Sequence, residues 1–194
     1  MRRVTRIIAA AAFFLVTPPS RVDAAPREAL VPWKVAQPGR VETAPLTLYW
    51  IPAASEDVRR SELLISDALT LYSSRCVRMR VVRIDDRARV VRFAAAEALP
   101  QAVLVDDRGV VLGKVNARDG ALERAEVERL VREELERRET AADAMLDDAR
   151  AKADADDDAG AAALYRIVRE ARCMCPRQGR DAARALRKLR NAQR

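Results

Sequence analysis

The chain of 194 residues contains no histidine. That removes the side chain best suited to proton transfer near neutral pH and the commonest metal ligand. His-dependent catalytic triads and His-centred metal sites are excluded with it. Aromatic residues make up only 4%, so any core must rest on alanine, valine, leucine and isoleucine. Lysine is scarce: of 36 basic residues only Lys34, Lys114, Lys152 and Lys188 are not arginine. Beyond the first residues, no apolar run approaches the roughly 20 residues that a membrane-spanning helix needs.

What remains is rich in apolar (49%) and charged (34%) residues, enough for one compact domain of ordinary size with an appendage. The formal charge of +7 carries the electrostatic signature of phosphate binding. The arginines, however, are interleaved with acids along the helical stretches, so no nucleic-acid partner is expected.

The first residues read as an address. Arg2, Arg3 and Arg6 precede an apolar stretch from Ile7 to Val16, and "RVDAAPRE" offers small residues for cleavage after Ala24 or Ala25. This is the order of a secretory signal peptide, with an uncleaved anchor as the alternative. Cleavage after Ala24 takes away four arginines and one aspartate, lowering the charge from +7 to +4. No cysteine follows the cleavage region, which disfavours a lipoprotein. The expected product is exported, periplasmic or extracellular, with no membrane span after cleavage and with disulfides permitted.

Residues 25–44 carry Pro26, Pro32, Pro38 and Gly39, with Pro45 just beyond, and read as a linker or N-terminal arm. From 45 to 139 the pattern is that of a folded domain. "LTLYWI" (46–51) is a strand. Ser55 is a candidate N-cap, followed by Glu56 and Asp57 where the helix dipole favours negative charge. Val58, Ile65, Ala68, Leu69 and Tyr72 then predict one helix with a buried stripe reaching to about Cys76. "VRMRVVRI" (77–84) reads as a strand, and a short helix through Val90, Val91 and Phe93 follows. "QAVLVD" and "VVLGKV" flank "DRG" as a hairpin, preceded by Leu99-Pro100. Gly120 ends the next turn, and Leu122, Val127, Leu130, Val131 and Leu135 predict a last amphipathic helix. Residues 140–194 are nearly all helix formers, interrupted near Gly160 and Pro176. They predict three helices whose narrow alanine-rich stripes favour docking on the preceding domain.

The order strand, helix, strand, helix, hairpin, helix, with Leu99-Pro100 before the hairpin, resembles the thioredoxin-like superfamily. The resemblance covers roughly residues 44–139. It implies a three-layer α/β sandwich with a central mixed sheet, here followed by a C-terminal all-α extension. In that family an aromatic pair ends the first central strand, matching Tyr49-Trp50. A Cys-x-x-Cys turn then opens a helix. Here Ala54-Ser55-Glu56-Asp57 stands at that place, so the nucleophile is missing: exchange needs a thiolate, and alanine cannot attack. Pro100 corresponds to the family's cis proline, which faces that turn. By the same resemblance, Tyr49, Trp50, Ala54, Ser55, Leu99 and Pro100 would line a shallow groove for extended polypeptide.

Glu56 and Asp57 are adjacent, so on a helix they diverge by about 100° and cannot share a site. Asp57 reads either as a dipole partner or as an acid–base group. Cys76 lies some twenty residues past Ser55, about 30 Å along an unbroken helix. It is expected to pair with Cys173 or Cys175, stapling the extension to the domain. A redox-active Cys173-x-Cys175, an unpaired thiol and a three-thiol zinc site are the alternatives. The extension also carries a weak likeness to a tetratricopeptide helix pair ("AGAAALYRIVREA", then Pro176). The expected function is an exported protein- or peptide-binding scaffold module of the cell envelope, without redox catalysis, cofactor or metal. The competing class is a thiol-disulfide oxidoreductase or isomerase using Cys173 and Cys175.

Overall fold

The computed structural model describes residues 30–39, 43–93 and 99–192; the stretch read from sequence as a signal peptide lies outside them. Five strands and six α-helices are present among these residues: β1 Lys34–Val35, β2 Leu46–Ile51, α1 Ser55–Arg60, α2 Asp67–Ser74, β3 Val77–Val81, α3 Arg87–Phe93, β4 Gln101–Asp106, β5 Val111–Asn116, α4 Arg124–Asp154, α5 Asp158–Glu170 and α6 Pro176–Ala192.

The strands form one mixed sheet in the order β1-β3-β2-β4-β5. β1 and β2 run parallel to β3, and β4 runs antiparallel to β2 and β5. All six residues of β2 are buried, Thr47 included, because both faces of the strand are covered. The two-residue alternation of a strand splits it. Leu46, Leu48 and Trp50 join Leu69 of α2 and Val127, Val131 and Leu135 of α4 in one core layer. Tyr49 and Ile51 join Phe93 of α3, Val103 and Val105 in the other. A mixed sheet with helices on both faces is therefore the architecture.

The hairpin forms where the sequence places it. Asp106 accepts from the amides of Arg108 (3.0 Å) and Val110 (2.7 Å) through Oδ1, and Gly109 supplies φ +76°. The single helix expected from Ser55 to Cys76 does not form. Ser61 is extended (φ −80°, ψ 135°) and ends α1, and its Oγ accepts from Leu63 N at 3.2 Å to start a short 3₁₀ turn, Glu62–Leu64. Ser66 then caps α2 by accepting from Leu69 N at 2.9 Å. Two serines that capture nearby amides thus break the helix twice. The buried positions are Leu63 and Leu69, while Ile65 is 41% exposed.

α4 is 31 residues, about 46 Å long, and runs unbroken past residue 139. Its first half lies on the sheet. Its second half packs through Ala142, Leu146 and Ala149 against Tyr165, Val168, Cys175 and Ala182 of the following segment. Only α5 and α6 are separate helices of the extension, because nothing in "RRETAADAML" interrupts α4.

Two features dock this extension. Cys76 and Cys173 form a disulfide with Cα atoms 5.8 Å apart, spanning 97 residues of sequence. Cys76 occupies the left-handed region (φ 61°) just past the end of α2. Glycine is the usual residue there, and a side chain costs about 1–2 kcal/mol. Beside it, the Arg75 guanidinium donates to Glu139 and to the Met174 carbonyl.

Chain-entropy reasoning assigns a cross-link of this span several kcal/mol. Cys76→Ser is expected to lower unfolding stability by about 2–5 kcal/mol, read as a shift of the urea midpoint that vanishes when both proteins are measured in reductant. Non-reducing peptide mapping should recover Cys76 joined to Cys173.

Glu134, buried beneath the extension, accepts from Arg137 (2.8 and 2.7 Å) and Arg138 (2.6 Å). Burial alone would raise its carboxyl, but the two guanidiniums together outweigh it and hold the group below its ordinary value. A depressed carboxyl contributes stability above its unfolded value, about pH 4.3, and loses that contribution as pH falls through the folded value. Acid titration of unfolding should therefore show stability falling below that point, with a shallower fall in Glu134→Gln.

Candidate functional site

The chain leaves β2 at Ile51, turns through Pro52 and enters α1. Ala54, not Ser55, is the N-cap (φ −138°, ψ 162°), and Ser55 is the first helical residue. Alanine has no acceptor, so the cap is built from inside the helix. Asp57 Oδ2 accepts from the amides of Ala53 (2.9 Å) and Ala54 (2.8 Å), half of a capping box. Asp57 is thus a structural acceptor of the turn, the dipole-partner role among the two that its position allowed.

The Leu99-Pro100 bond is cis, as the resemblance implied. Pro100 is buried, and its carbonyl accepts from Ala117 N at 3.0 Å. A groove of about 660 Å³ opens beside it. Its lining includes Trp50, Ser61, Pro100, Ala121 and Leu122 with the charged Glu56, Asp57, Arg60, Glu62, Glu123 and Arg124, so Glu56 and Asp57 border one groove although adjacent helix positions diverge. No sulfur lies among its lining residues. Trp50 is 1% exposed, packs edge-on against Trp33 at 5.5 Å, and its Nε1 has no hydrogen-bond partner in the protein. An unmet buried donor of this kind is uncommon, and the atom itself is closed off from the groove's solvent.

Of the six residues grouped by sequence, the groove brings together Trp50 and Pro100. Tyr49 points through the other face of the sheet, stacked on Phe93 at 5.0 Å with the Arg89 guanidinium 5.6 Å from its ring. Leu99 packs in that same second layer. Ser55 borders a different depression of about 870 Å³, with Trp33, Val35, Pro52 and Val81. Ala54 supports the turn as its cap. The reason is the strand's alternation: adjacent residues of a fully covered strand cannot share a face.

Comparison with family models, with curated protein sequences and with solved structures found no match. The site therefore rests on its own geometry. The third wall, Gly120–Ala125, was not among the residues singled out by sequence. Its "DGALERA" stretch reads as an ordinary turn into a helix, and it becomes a wall only because α4 crosses the sheet next to α1.

The thiols stand elsewhere. β2 and β3 run parallel with Leu46 opposite Val77, so Cys76 adjoins the end of the sheet away from the groove. With β2 rising about 3.3 Å per residue, its length separates the two by roughly 17 Å. Cys175 is free and 1% exposed, inside the helical layer. Burial is the main cause that pushes its thiol above the ordinary range, with Glu139 adding to it. A raised and buried thiol is a poor nucleophile. Iodoacetamide near neutral pH is expected to leave Cys175 unmodified in the folded, unreduced chain and to label it stoichiometrically after urea unfolding; rapid labelling of the folded chain would contradict its placement.

Proposed function

We propose that the chain is an exported thioredoxin-like module without redox catalysis, and that it holds an extended peptide or protein segment in the Trp50–Pro100 groove. Its setting on this reading is the cell envelope, where it acts as a binding or scaffold component. The observation that carries the proposal is a groove beside a cis proline and a helix-opening turn, with no sulfur in its lining. Three further features support it. The central mixed sheet has helices on both faces. The cis proline precedes the hairpin that the resemblance implied. Ala121 and Leu122 give the groove an apolar lining against which an extended chain can lie.

The oxidoreductase reading needs Cys173 and Cys175 to cycle between dithiol and disulfide. Cys173 is instead bridged to Cys76, and Cys175 faces the helical core. Neither arrangement favours turnover.

Ala121 is exposed on the groove wall and outside the apolar core layers, so Ala121→Arg should fill the groove without unfolding the chain. Panning a peptide library on the mature protein and repeating the titration with this variant should show at least a roughly tenfold loss of affinity, the scale of one lost buried contact of about 1.4 kcal/mol. Insulin reduction should stay at background for both proteins. Capture that survives the filled groove would defeat the binding reading, and insulin reduction abolished by Cys175→Ser would establish the enzymatic one.

A further inference from the structure

The solvent face of α6 is where charge is least balanced. Ala182 and Gln178 are buried against α4 and α5, and Ala185 and Leu189 pack beside them. At about 100° per residue, Arg177, Arg180, Arg184, Arg187, Lys188 and Arg190 fall within an arc of about 160° on the opposite side. All six are exposed, against the single carboxylate of Asp181 in that helix. Arg177 meets Asp143 at 2.8 Å and Arg184 meets Asp181. Arg180, Arg187, Lys188 and Arg190 have no carboxylate in ion-pair reach among the described residues.

α4 handles its charges differently. Arg129, Arg132, Arg138 and Arg150 each face a carboxylate three or four residues away. At the same spacings α6 sets cation beside cation: Arg180 with Arg184, Arg184 with Arg187 and Lys188, Arg187 with Arg190. Such pairs destabilise a helix. The dipole compensates cations in the last turn but opposes Arg180, which lies near the N-terminal end. Arg172 widens the patch. Gly179 approaches it so closely that a Cβ there would stand 2.5 Å from the Arg172 Cβ, and Arg172 is exposed.

We propose that this face docks the molecule on an anionic phospholipid surface. The guanidinium fork matches phosphate oxygens in pairs, and a headgroup layer offers phosphates along the whole helix, about 25 Å. The apolar face of α6 is committed to the bundle, so the contact is electrostatic adsorption and not insertion. A membrane is favoured over a nucleic acid because the sequence opens with the basic and apolar pattern of an exported chain.

The test is co-sedimentation of the full chain with vesicles of equal phosphatidylglycerol and phosphatidylcholine, compared with phosphatidylcholine alone. The phosphatidylglycerol-dependent affinity should fall about fivefold per cation removed, and roughly several-hundred-fold in Arg180→Gln/Arg187→Gln/Lys188→Gln/Arg190→Gln. A control of equal charge, Arg108→Gln/Arg118→Gln/Arg129→Gln/Arg132→Gln, should largely retain it; circular dichroism checks that both variants are folded. Three results would overturn the proposal: an unchanged phosphatidylglycerol increment in the α6 variant, an equal loss in the control, or tighter binding of a mixed-sequence DNA duplex than of the vesicles at the same salt.

Discussion

Leu46–Ile51 is covered on both faces, and the alternation that this imposes decides the rest of the molecule. Each odd step of the strand sends a side chain into the layer under α3, and each even step sends one into the layer under α2 and α4. Trp50 and Tyr49 are neighbours in sequence and strangers in space for that reason. The strand's exit then fixes where α1 begins, and its antiparallel partner β4 brings Pro100 back beside that exit. A groove between the two follows from the pairing of Ile51 with Gln101. Its lining combines an indole and the apolar Pro100, Ala121 and Leu122 with a charged set, Glu56, Arg60, Glu62, Glu123 and Arg124, beside the Asp57 carboxylate already used as a cap. No thiol stands among these lining residues.

The second constraint is the junction at the other end of the sheet. Arg75 and Cys76 close α2, and both reach the segment around Met174. Hydrogen bonds to charged groups contribute about 1.5–3 kcal/mol each, whereas the cross-link limits the unfolded chain by a comparable or larger amount. The two devices act at the same junction, the disulfide on the unfolded chain and Arg75 on the folded one. With the extension held this way, α4 presents its paired charges to one side and α6 its unpaired cations to another. The groove and the cationic face lie on different elements, so on the two proposals made above neither contact would obstruct the other.

Much of this was legible beforehand because it is local. The strand at 46–51, the hairpin around Gly109, the helix through Phe93 and the cysteine pairing each depend on a short pattern or on a limited choice among three sulfurs. What misled was also local. Ser61 and Ser66 look like tolerable helix residues among Val58, Leu69 and Tyr72, yet each captures an amide of its own chain and breaks the helix. Ser55 looks like the better cap, but Asp57 reaching backward does the work from three residues inside. The groove's third wall had no signature, since an ordinary turn acquires a role only from what stands opposite. Charge interleaving held along α4 and failed along α6, where only the packing of Ala182 and Gln178 shows that every cation faces outward.

The sequence by itself determined what the protein lacks and what its elements are. Without histidine, and with no cysteine among residues 51–75, the turn after Trp50 carries no thiol or imidazole of its own. The apolar periods likewise dictated strands and helices wherever neighbouring residues alone set the backbone. The tertiary structure decided which side chains meet. Burial of a strand on both faces separated Tyr49 from Trp50, and the crossing of α4 supplied the wall at Ala121. The docking of the extension chose Cys173 over Cys175 as the partner of Cys76. Those outcomes depend on contacts between residues far apart in the chain, whose free energies exist only once the sheet has brought them together.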